Sequence, residues 1–289
     1  MVIKNNFTGI PKAALMICSY VAFSIIQAAA MGITPKEKAV VDLKKALAKS
    51  DSLVFRSEGF PRFGPNPYAP VLRILHQYGD QLPAVWRARA LGQYADFLCL
   101  PWRISSYPSR SVAAAFRKKG QAILIRAVGV DPGYTNGWIS LALISLSQKA
   151  KAPNPAFPRY LVRAYDTDPL NPYVQGLRAW EICIKYGGHG ISAGPFTGNV
   201  GFNSRKWIRS FVYRALMFLK YRHTQTLPKV FGNLGGTWTG FFRETIKFYA
   251  PKQLMKLDAG EWKPGPCPDP WPPPAKLATR PAHGPTARR

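Results

Sequence analysis

The sequence contains few acidic residues. Only 14 Asp and Glu oppose 40 Lys and Arg among 289 residues, which gives a formal net charge of +26. General acid–base catalysis usually needs a carboxylate or a histidine in a pocket, and most carboxylates here occur in contexts typical of turns or helix starts. We therefore expect no catalytic residue. The charge predicts instead that the protein attracts a polyanion, such as acidic polysaccharide, anionic lipid or nucleic acid.

Cysteine is also scarce. The four cysteines form no CxxC motif and no Cys/His pair at metal-ligand spacing, so we expect neither a metal nor a cofactor. A Cys99–Cys183 disulfide is an alternative to buried thiols in an oxidising compartment. The cluster most open to an enzymatic interpretation is Glu181, Cys183 and His189. No nucleophile motif accompanies it, so a solvated glycine-rich turn is the preferred interpretation.

Long apolar runs are absent apart from the N-terminal one. Residues 13–26 form a mainly apolar run, lysines lie on its N-terminal side, and small residues precede a possible cut after Ala30. These features predict a secretory signal peptide over residues 1–30, because the run is shorter than the ~20 apolar residues of a membrane span. An uncleaved membrane anchor is the alternative. Export would place the protein in the periplasm or at the outer side of the cytoplasmic membrane, where nucleic acid is a less frequent partner.

A pattern of small and apolar residues recurs before two prolines. Gly120, Leu124 and Ala127 precede Pro132 at the same offsets at which Phe157, Leu161 and Ala164 precede Pro169. Proline cannot continue a helix, so each proline should close a helical hairpin. Trp138, Leu141 and Ala142 follow Pro132, whereas Gln175 takes the aromatic position after Pro169. The predicted repeat-packing residues are Leu124, Ala127, Pro132, Trp138, Leu141, Ala142, Leu161, Ala164 and Pro169.

This pattern resembles the tetratricopeptide (TPR) repeat. The two prolines are 37 residues apart, against about 34 in the family, and three extra residues between the paired helices would account for the difference. The run from Asp131 to Ala142 is also similar to TPR-containing accessory proteins of exopolysaccharide biosynthesis. The resemblance implies an all-α fold in which helical hairpins form a short α-solenoid. An ordinary pair of helical hairpins is the alternative.

Helix and breaker signals divide the rest of the chain. We expect a first helix from Lys36 to Lys49, a loop from Asp51 to Pro67, and a break at Gly235-Gly236 before a last helix. From residue 260 the chain has nine prolines in thirty residues, which predicts a disordered tail. The expected regions after the leader are an N-terminal helical region with a Pro-rich loop (31–108), the TPR-like repeats (109–186), a Gly-rich loop (187–203), basic aromatic helices (204–259) and the tail (260–289).

Two basic clusters are candidates for contact with a polyanion or a lipid surface. One is Arg117, Lys118 and Lys119, and the other is Arg205, Lys206, Arg209 and Arg214 on the helix that Ser204 should begin. The alternative for the second is a core helix whose basic stems cover apolar surface while their charges reach water. Each basic residue near a charged bilayer would contribute about 1 kcal/mol.

The sequence therefore predicts an exported binding or scaffold protein of a cell-envelope assembly rather than an enzyme. Its expected partners are other proteins of that assembly, with acidic polysaccharide or the anionic membrane surface as further candidates, and no small-molecule substrate is evident. A structural subunit of a membrane-bound complex is one alternative. An enzyme of envelope polymers, with Glu181 as its carboxylate, is the other.

Overall fold

The structure is a computed structural model that describes residues 34–56, 66–99, 109–146, 156–187, 201–202, 204–224 and 232–269. These residues form ten α-helices and no strand, which confirms the all-α prediction. None of these helices has the length and apolar character needed to cross a bilayer. The predicted signal peptide, most of the Gly-rich loop, and the tail beyond Asp269 lie outside the described residues.

The chain divides into two compact units, Met1–Ala90 and Leu91–Arg289. A 3₁₀ turn, Gly79–Gln81, follows the second helix. The helices are α1 (Pro35–Arg56), α2 (Ala69–Tyr78), α3 (Ala84–Cys99), α4 (Arg110–Val130), α5 (Thr135–Ser145), α6 (Ala156–Thr167), α7 (Pro172–Tyr186), α8 (Arg205–Tyr221), α9 (Gly232–Tyr249) and α10 (Pro251–Asp258).

In the first unit, α1 begins with a capping box and is longer than predicted. The Thr34 hydroxyl accepts from the Glu37 amide at 3.2 Å, and the Glu37 carboxylate accepts from the Thr34 amide at 2.8 Å. The helix continues to Arg56, so the first six residues of the predicted loop 51–67 are helical. These six residues contain neither proline nor glycine, and nothing in them breaks the helix. Tyr68 packs behind α1, where its hydroxyl donates to Asp51 at 2.7 Å.

In the second unit, each helix from α4 to α10 contacts the next one along the chain. The centre of the core is α7, which is buried at almost every position from Pro172 to Cys183. Its neighbours α8 and α9 contribute a cluster of aromatic rings that meet edge-to-face or tilted: Phe211, Phe218, Trp238, Phe241 and Phe242. Aromatic pairs in such arrangements each contribute about 0.5–1.5 kcal/mol beyond their buried area.

The two Asp-Pro turns have the same hydrogen bonds. The amides of Asp131 and Asp168 donate to the carbonyls of Ala127 and Ala164, at 3.0 and 3.1 Å, and each Asp carbonyl accepts from the amide three residues later. The apolar repeat-packing residues on the flanking helices are inaccessible to solvent: Leu124, Ala127, Leu141, Ala142, Leu161 and Ala164. The two Asp-Pro turns therefore have the same local backbone structure.

The missing aromatic residue after the second turn is replaced by an equivalent hydrogen bond. Trp138 Nε1 donates to the carbonyl of Pro132 at 2.9 Å, and Gln175 Nε2 donates to the carbonyl of Pro169 at 2.5 Å. Both donors lie six residues after their proline. The side-chain amide thus ties the start of α7 to its turn as the indole does in α5.

The C-terminal part of the structure differs from the sequence prediction at three places. One is α10 (Pro251–Asp258), which follows the helix expected to be the last. Helix α9 begins at Gly232, so Gly235-Gly236 lie inside a helix and do not separate two segments. Residues 260–269, expected in the disordered tail, are placed against the helical core, with Trp262 buried. Composition alone missed this because a single buried tryptophan and a few polar contacts suffice to hold a short segment.

Replacing Gly120 tests how closely α3 and α4 approach. A Cβ at this position would lie 2.3 Å from Cys99 Sγ and 3.0 Å from the carbonyl oxygen of Ala95. We expect Gly120→Ala to lower the free energy of unfolding by about 1–3 kcal/mol, because the helices must move apart. Urea unfolding followed by tryptophan fluorescence measures the change.

The matched control is Gly129→Ala in the same helix, where nothing lies within 4 Å of the added Cβ. Alanine has the higher helix propensity, so this variant should be unchanged or up to about 1 kcal/mol more stable. Equal effects at the two positions would contradict the close packing of α3 on α4.

Candidate functional site

Residues 259–269, here called the C-terminal strap, turn back from the end of α10 and lie against α8. The turn uses Gly260, whose φ of 76° is in the left-handed region that favours glycine. The amides of Glu261 and Trp262 both donate to the carbonyl of Lys256, at 2.8 and 3.0 Å. Trp262 is 7 % exposed, and its carbonyl accepts from Lys220 Nζ at 2.5 Å. The first end of the strap is therefore fixed by a buried ring and a charge-assisted hydrogen bond.

Asp269 fixes the other end of the strap. Its Oδ2 accepts from Arg178 Nη2 at 3.2 Å and from Ser210 Oγ at 3.3 Å. Its main-chain carbonyl accepts from Arg214 Nη2 at 2.6 Å. The carboxylate and the carbonyl of one residue thus contact both α7 and α8.

The two arginines that hold Asp269 are buried. Arg214 is inaccessible to solvent and the Arg178 side chain is 5 % exposed. Burial lowers the pKa of the Arg214 guanidinium, yet arginine keeps its charge in proteins. Arg178 also donates to Glu181 Oε2 at 2.5 Å, while Arg214 donates to Gln175 Oε1 at 2.8 Å. Each buried charge therefore has a hydrogen-bonded partner, as the high cost of an unpaired buried ion requires.

A cleft of about 730 Å³ opens between α8, α10 and the strap. Its lining includes four exposed basic side chains, from Arg205 and Arg209 of α8, Lys256 of α10 and Lys263 of the strap, and one carboxylate, Glu261. The other lining residues are mainly apolar or aromatic: Ile208, Val212, Tyr213, Tyr249, Ala250, Gln253, Trp262, Gly265, Pro266 and Pro268. The cleft combines a positive rim with an apolar wall, which suits an anionic ligand that also has apolar surface.

The structure divides the basic residues singled out from the sequence. Arg205 and Arg209 line the cleft, while Lys206 is exposed and lies 5.1 Å from the Trp207 ring. The prediction for Arg214 is wrong, because this side chain points into the core and has no exposed surface. The exposed cluster of α4 does not line the cleft: Arg117, Lys118 and Lys119.

Sequence reasoning missed the basic residues that complete the cleft, Lys256 and Lys263, and the carboxylate Glu261. Lys256 belongs to a short helix that begins directly at Pro251, and the other two belong to the segment assigned to the tail. One available signal was Trp262, since an isolated tryptophan in a polar stretch often anchors that stretch to a core.

Glu181, the carboxylate considered as a catalytic residue, is buried and bound by neighbouring side chains. Glu181 is 1 % exposed, and its second oxygen, Oε1, accepts from Lys185 Nζ at 2.6 Å. Both oxygens are therefore engaged by basic side chains of the same helix. Cys183 is buried beside it, and His189 lies outside the described residues. No group of three or more metal-ligating side chains occurs in the ranges that the structure covers.

The three cysteines within these ranges are free thiols. Desolvation raises the pKa of Cys99 to about 12, and it raises the pKa of Cys183 well above its ordinary value. Cys267 is half-buried in the strap, where its Sγ donates to the carbonyl of Asp269 at 3.3 Å. The Cys99–Cys183 disulfide considered as an alternative is not formed.

No family model matches the chain, and neither a curated protein nor a solved structure matches it significantly.

Removing the charge of Asp269 tests whether the strap balances the charge of buried Arg178. We expect Asp269→Asn to lower the free energy of unfolding by about 2–4 kcal/mol, because the buried Arg178 guanidinium would keep only the Glu181 carboxylate, which Lys185 also engages. Urea unfolding provides the measurement.

Asp258→Asn is the matched control. Asp258 accepts from Arg243 at 2.7 Å, but both side chains are at least 40 % exposed, so less than about 1 kcal/mol should be lost. A loss at Asp269 no larger than that at Asp258 would show that the strap does not balance the buried charge.

Thiol labelling reports on the strap independently. With iodoacetamide at pH 8, we expect Cys267 to react in the native protein and Cys99 and Cys183 to react only after denaturation, because the thiolate is the reactive form and burial disfavours it. Peptide mass spectrometry identifies the labelled positions. Rapid native labelling of Cys99 would contradict its burial between α3 and α4.

Proposed function

We propose that this chain is an exported TPR-like scaffold protein of a cell-envelope assembly, accessory to exopolysaccharide biosynthesis or export, and that it binds an acidic polymer in the basic cleft. The observation that carries the proposal is the cleft lining, in which four exposed basic side chains surround a concave apolar wall. The high positive charge of the whole chain and the recurring helical hairpins are consistent with it.

Electrostatics supports a polymer rather than a small ligand. A concave surface lined by one sign of charge focuses the field and raises the local concentration of counter-ions. The cleft volume lies within the ~300–1,000 Å³ of typical ligand sites, but its basic side chains are exposed, so each makes only a modest contribution. Several such contacts along one chain would be needed for useful affinity, and a polymer supplies them.

The packing of α7 supports a compact binding domain rather than an extended groove. In a regular solenoid of helical hairpins, one concave face stays open to partners. Here α7 is buried on nearly all sides, because α6 and α8 both pack on it. The binding face in this proposal is consequently the cleft beside α8.

Charge reversal in the cleft tests the proposal. We expect Arg205→Glu/Arg209→Glu to weaken binding of polygalacturonate by at least about tenfold at ~150 mM salt, because two attractive contacts become repulsive. Isothermal titration calorimetry with the purified chain measures the affinity, and neutral dextran serves as the uncharged reference.

The control is Lys118→Glu/Lys119→Glu on α4, which changes the net charge equally at exposed positions outside the cleft. This variant should bind within about twofold of the unmodified protein, apart from a small loss of long-range attraction that salt screens. Equal losses in both variants would show that net charge, not the cleft, binds the polymer.

A further inference from the structure

The cleft contains one carboxylate among its basic side chains, and this carboxylate suggests what the cleft selects. Glu261 follows the Gly260 turn directly, so its backbone is fixed by the hydrogen bond from its amide to the carbonyl of Lys256 at 2.8 Å. Its side chain is exposed and forms no ion pair with any other residue that the structure describes. The carboxylate oxygens are therefore accessible to a ligand.

A carboxylate in the lining of the cleft disfavours the most densely charged polyanions. Nucleic acid and polyphosphate carry a negative charge on every backbone phosphate, so any segment that fills the cleft places phosphate oxygens near Glu261. Polyphosphate and the phosphate backbone offer few or no donors, and a carboxylate can only accept hydrogen bonds. Repulsion without a compensating hydrogen bond is a means of rejecting a partner.

A uronic acid polymer suits the same arrangement better. It carries one carboxylate on each sugar, and the hydroxyl groups between successive carboxylates can donate to Glu261. Its carboxylates can meanwhile accept from the arginine and lysine side chains, which are strong charge-assisted donors. Along one ligand chain, carboxylates that bind the basic side chains would then alternate with hydroxyl groups that bind Glu261.

The apolar wall fits the rings of such a polymer. Tyr213 and Tyr249 contribute half-buried aromatic rings to the lining, and the hydroxyl of Tyr249 accepts from the amide of Phe202 at 3.0 Å. That hydrogen bond restrains the ring. Aromatic side chains combine a large apolar surface with a polar end, which suits the apolar C–H faces of sugar rings.

We propose that the cleft selects a polysaccharide bearing one carboxylate per sugar over phosphate polymers and phosphate-bearing lipid, and that Glu261 sets this selection. The inference rests on the proposed function, since it assumes that the cleft binds an acidic polymer. Glu261 acts by direct contact: it accepts from sugar hydroxyls and repels phosphate.

The test compares two polymers and one anionic lipid surface on three proteins. Oligogalacturonate and linear polyphosphate with the same number of charges are titrated at equal ionic strength into the full chain, its Glu261→Gln variant and its Glu244→Gln variant. Glu244 is exposed on α9 outside the cleft. The Glu244→Gln variant therefore removes the same charge at a position away from the cleft. Binding of phosphatidylglycerol vesicles, with phosphatidylcholine vesicles as reference, represents the lipid surface.

We expect the unmodified chain to prefer oligogalacturonate, and Glu261→Gln to raise the affinity for polyphosphate by about fivefold, as removal of one nearby like charge would. The affinity of Glu261→Gln for oligogalacturonate should stay equal or fall. In Glu244→Gln the ratio of the two affinities should match that of the unmodified chain.

Three results would overturn the inference in distinguishable ways. Failure of the unmodified chain to bind either polymer overturns the proposed function together with the selection. If the unmodified chain binds polyphosphate or the anionic vesicles more tightly than oligogalacturonate, the proposed selection is wrong. The proposal that the chain binds a polyanion is then unaffected. Equal shifts in Glu261→Gln and Glu244→Gln show that total charge, not this carboxylate, sets the preference.

Discussion

The arrangement of the second unit depends on two buried guanidinium groups, those of Arg178 and Arg214. Two positive charges in one core repel each other and lose their hydration, so each needs hydrogen-bonding partners. Arg214 bonds to Gln175 Oε1 and to the main-chain carbonyl of Asp269, and Arg178 pairs with two carboxylates. One carboxylate is local, since Glu181 lies one turn along α7. The other is Asp269, which follows Arg178 by 91 residues in sequence. The contacts of Asp269 hold the end of the C-terminal strap on α8. The apolar contact of Trp262 holds only the other end of the strap.

The need of the buried arginines for partners also shapes the candidate binding site, because it places the strap beside α8. The strap forms one wall of the cleft and carries Glu261 and Lys263, and the contacts of Asp269 hold the far end of this wall against α7 and α8. A buried polar network of this kind orders a segment because each member loses its partner if the segment leaves. Asp269 therefore supports the wall of the proposed binding cleft, although it does not itself line the cleft.

Helical periodicity predicted the fold class and most helices, because burial of one apolar stripe leaves a direct trace in the sequence. Phe157, Leu161 and Ala164, spaced four and three residues apart on α6, are examples, and all three are buried. Long-range polar pairing leaves no such trace. The sequence suggested that Arg214 is a surface cation like Arg209, since nothing near it in sequence shows that Gln175 and the main chain of Asp269 will bind it in the core. Half of the basic rim was missed for the same reason, as Lys256 and Lys263 join Arg205 and Arg209 only through tertiary contacts.

The irregularity of the second repeat follows from the strap. Counting from each proline, Gln175 takes the place of Trp138, and Arg178 takes the place of Leu141. An apolar pair at these positions would bury surface against a neighbouring hairpin, as Leu141 does. The polar pair instead holds Arg214 and Asp269, while Gln175 keeps the hydrogen bond to its proline. Departure from the repeat pattern therefore marks the place where α7 anchors the C-terminal segment in addition to packing against α8.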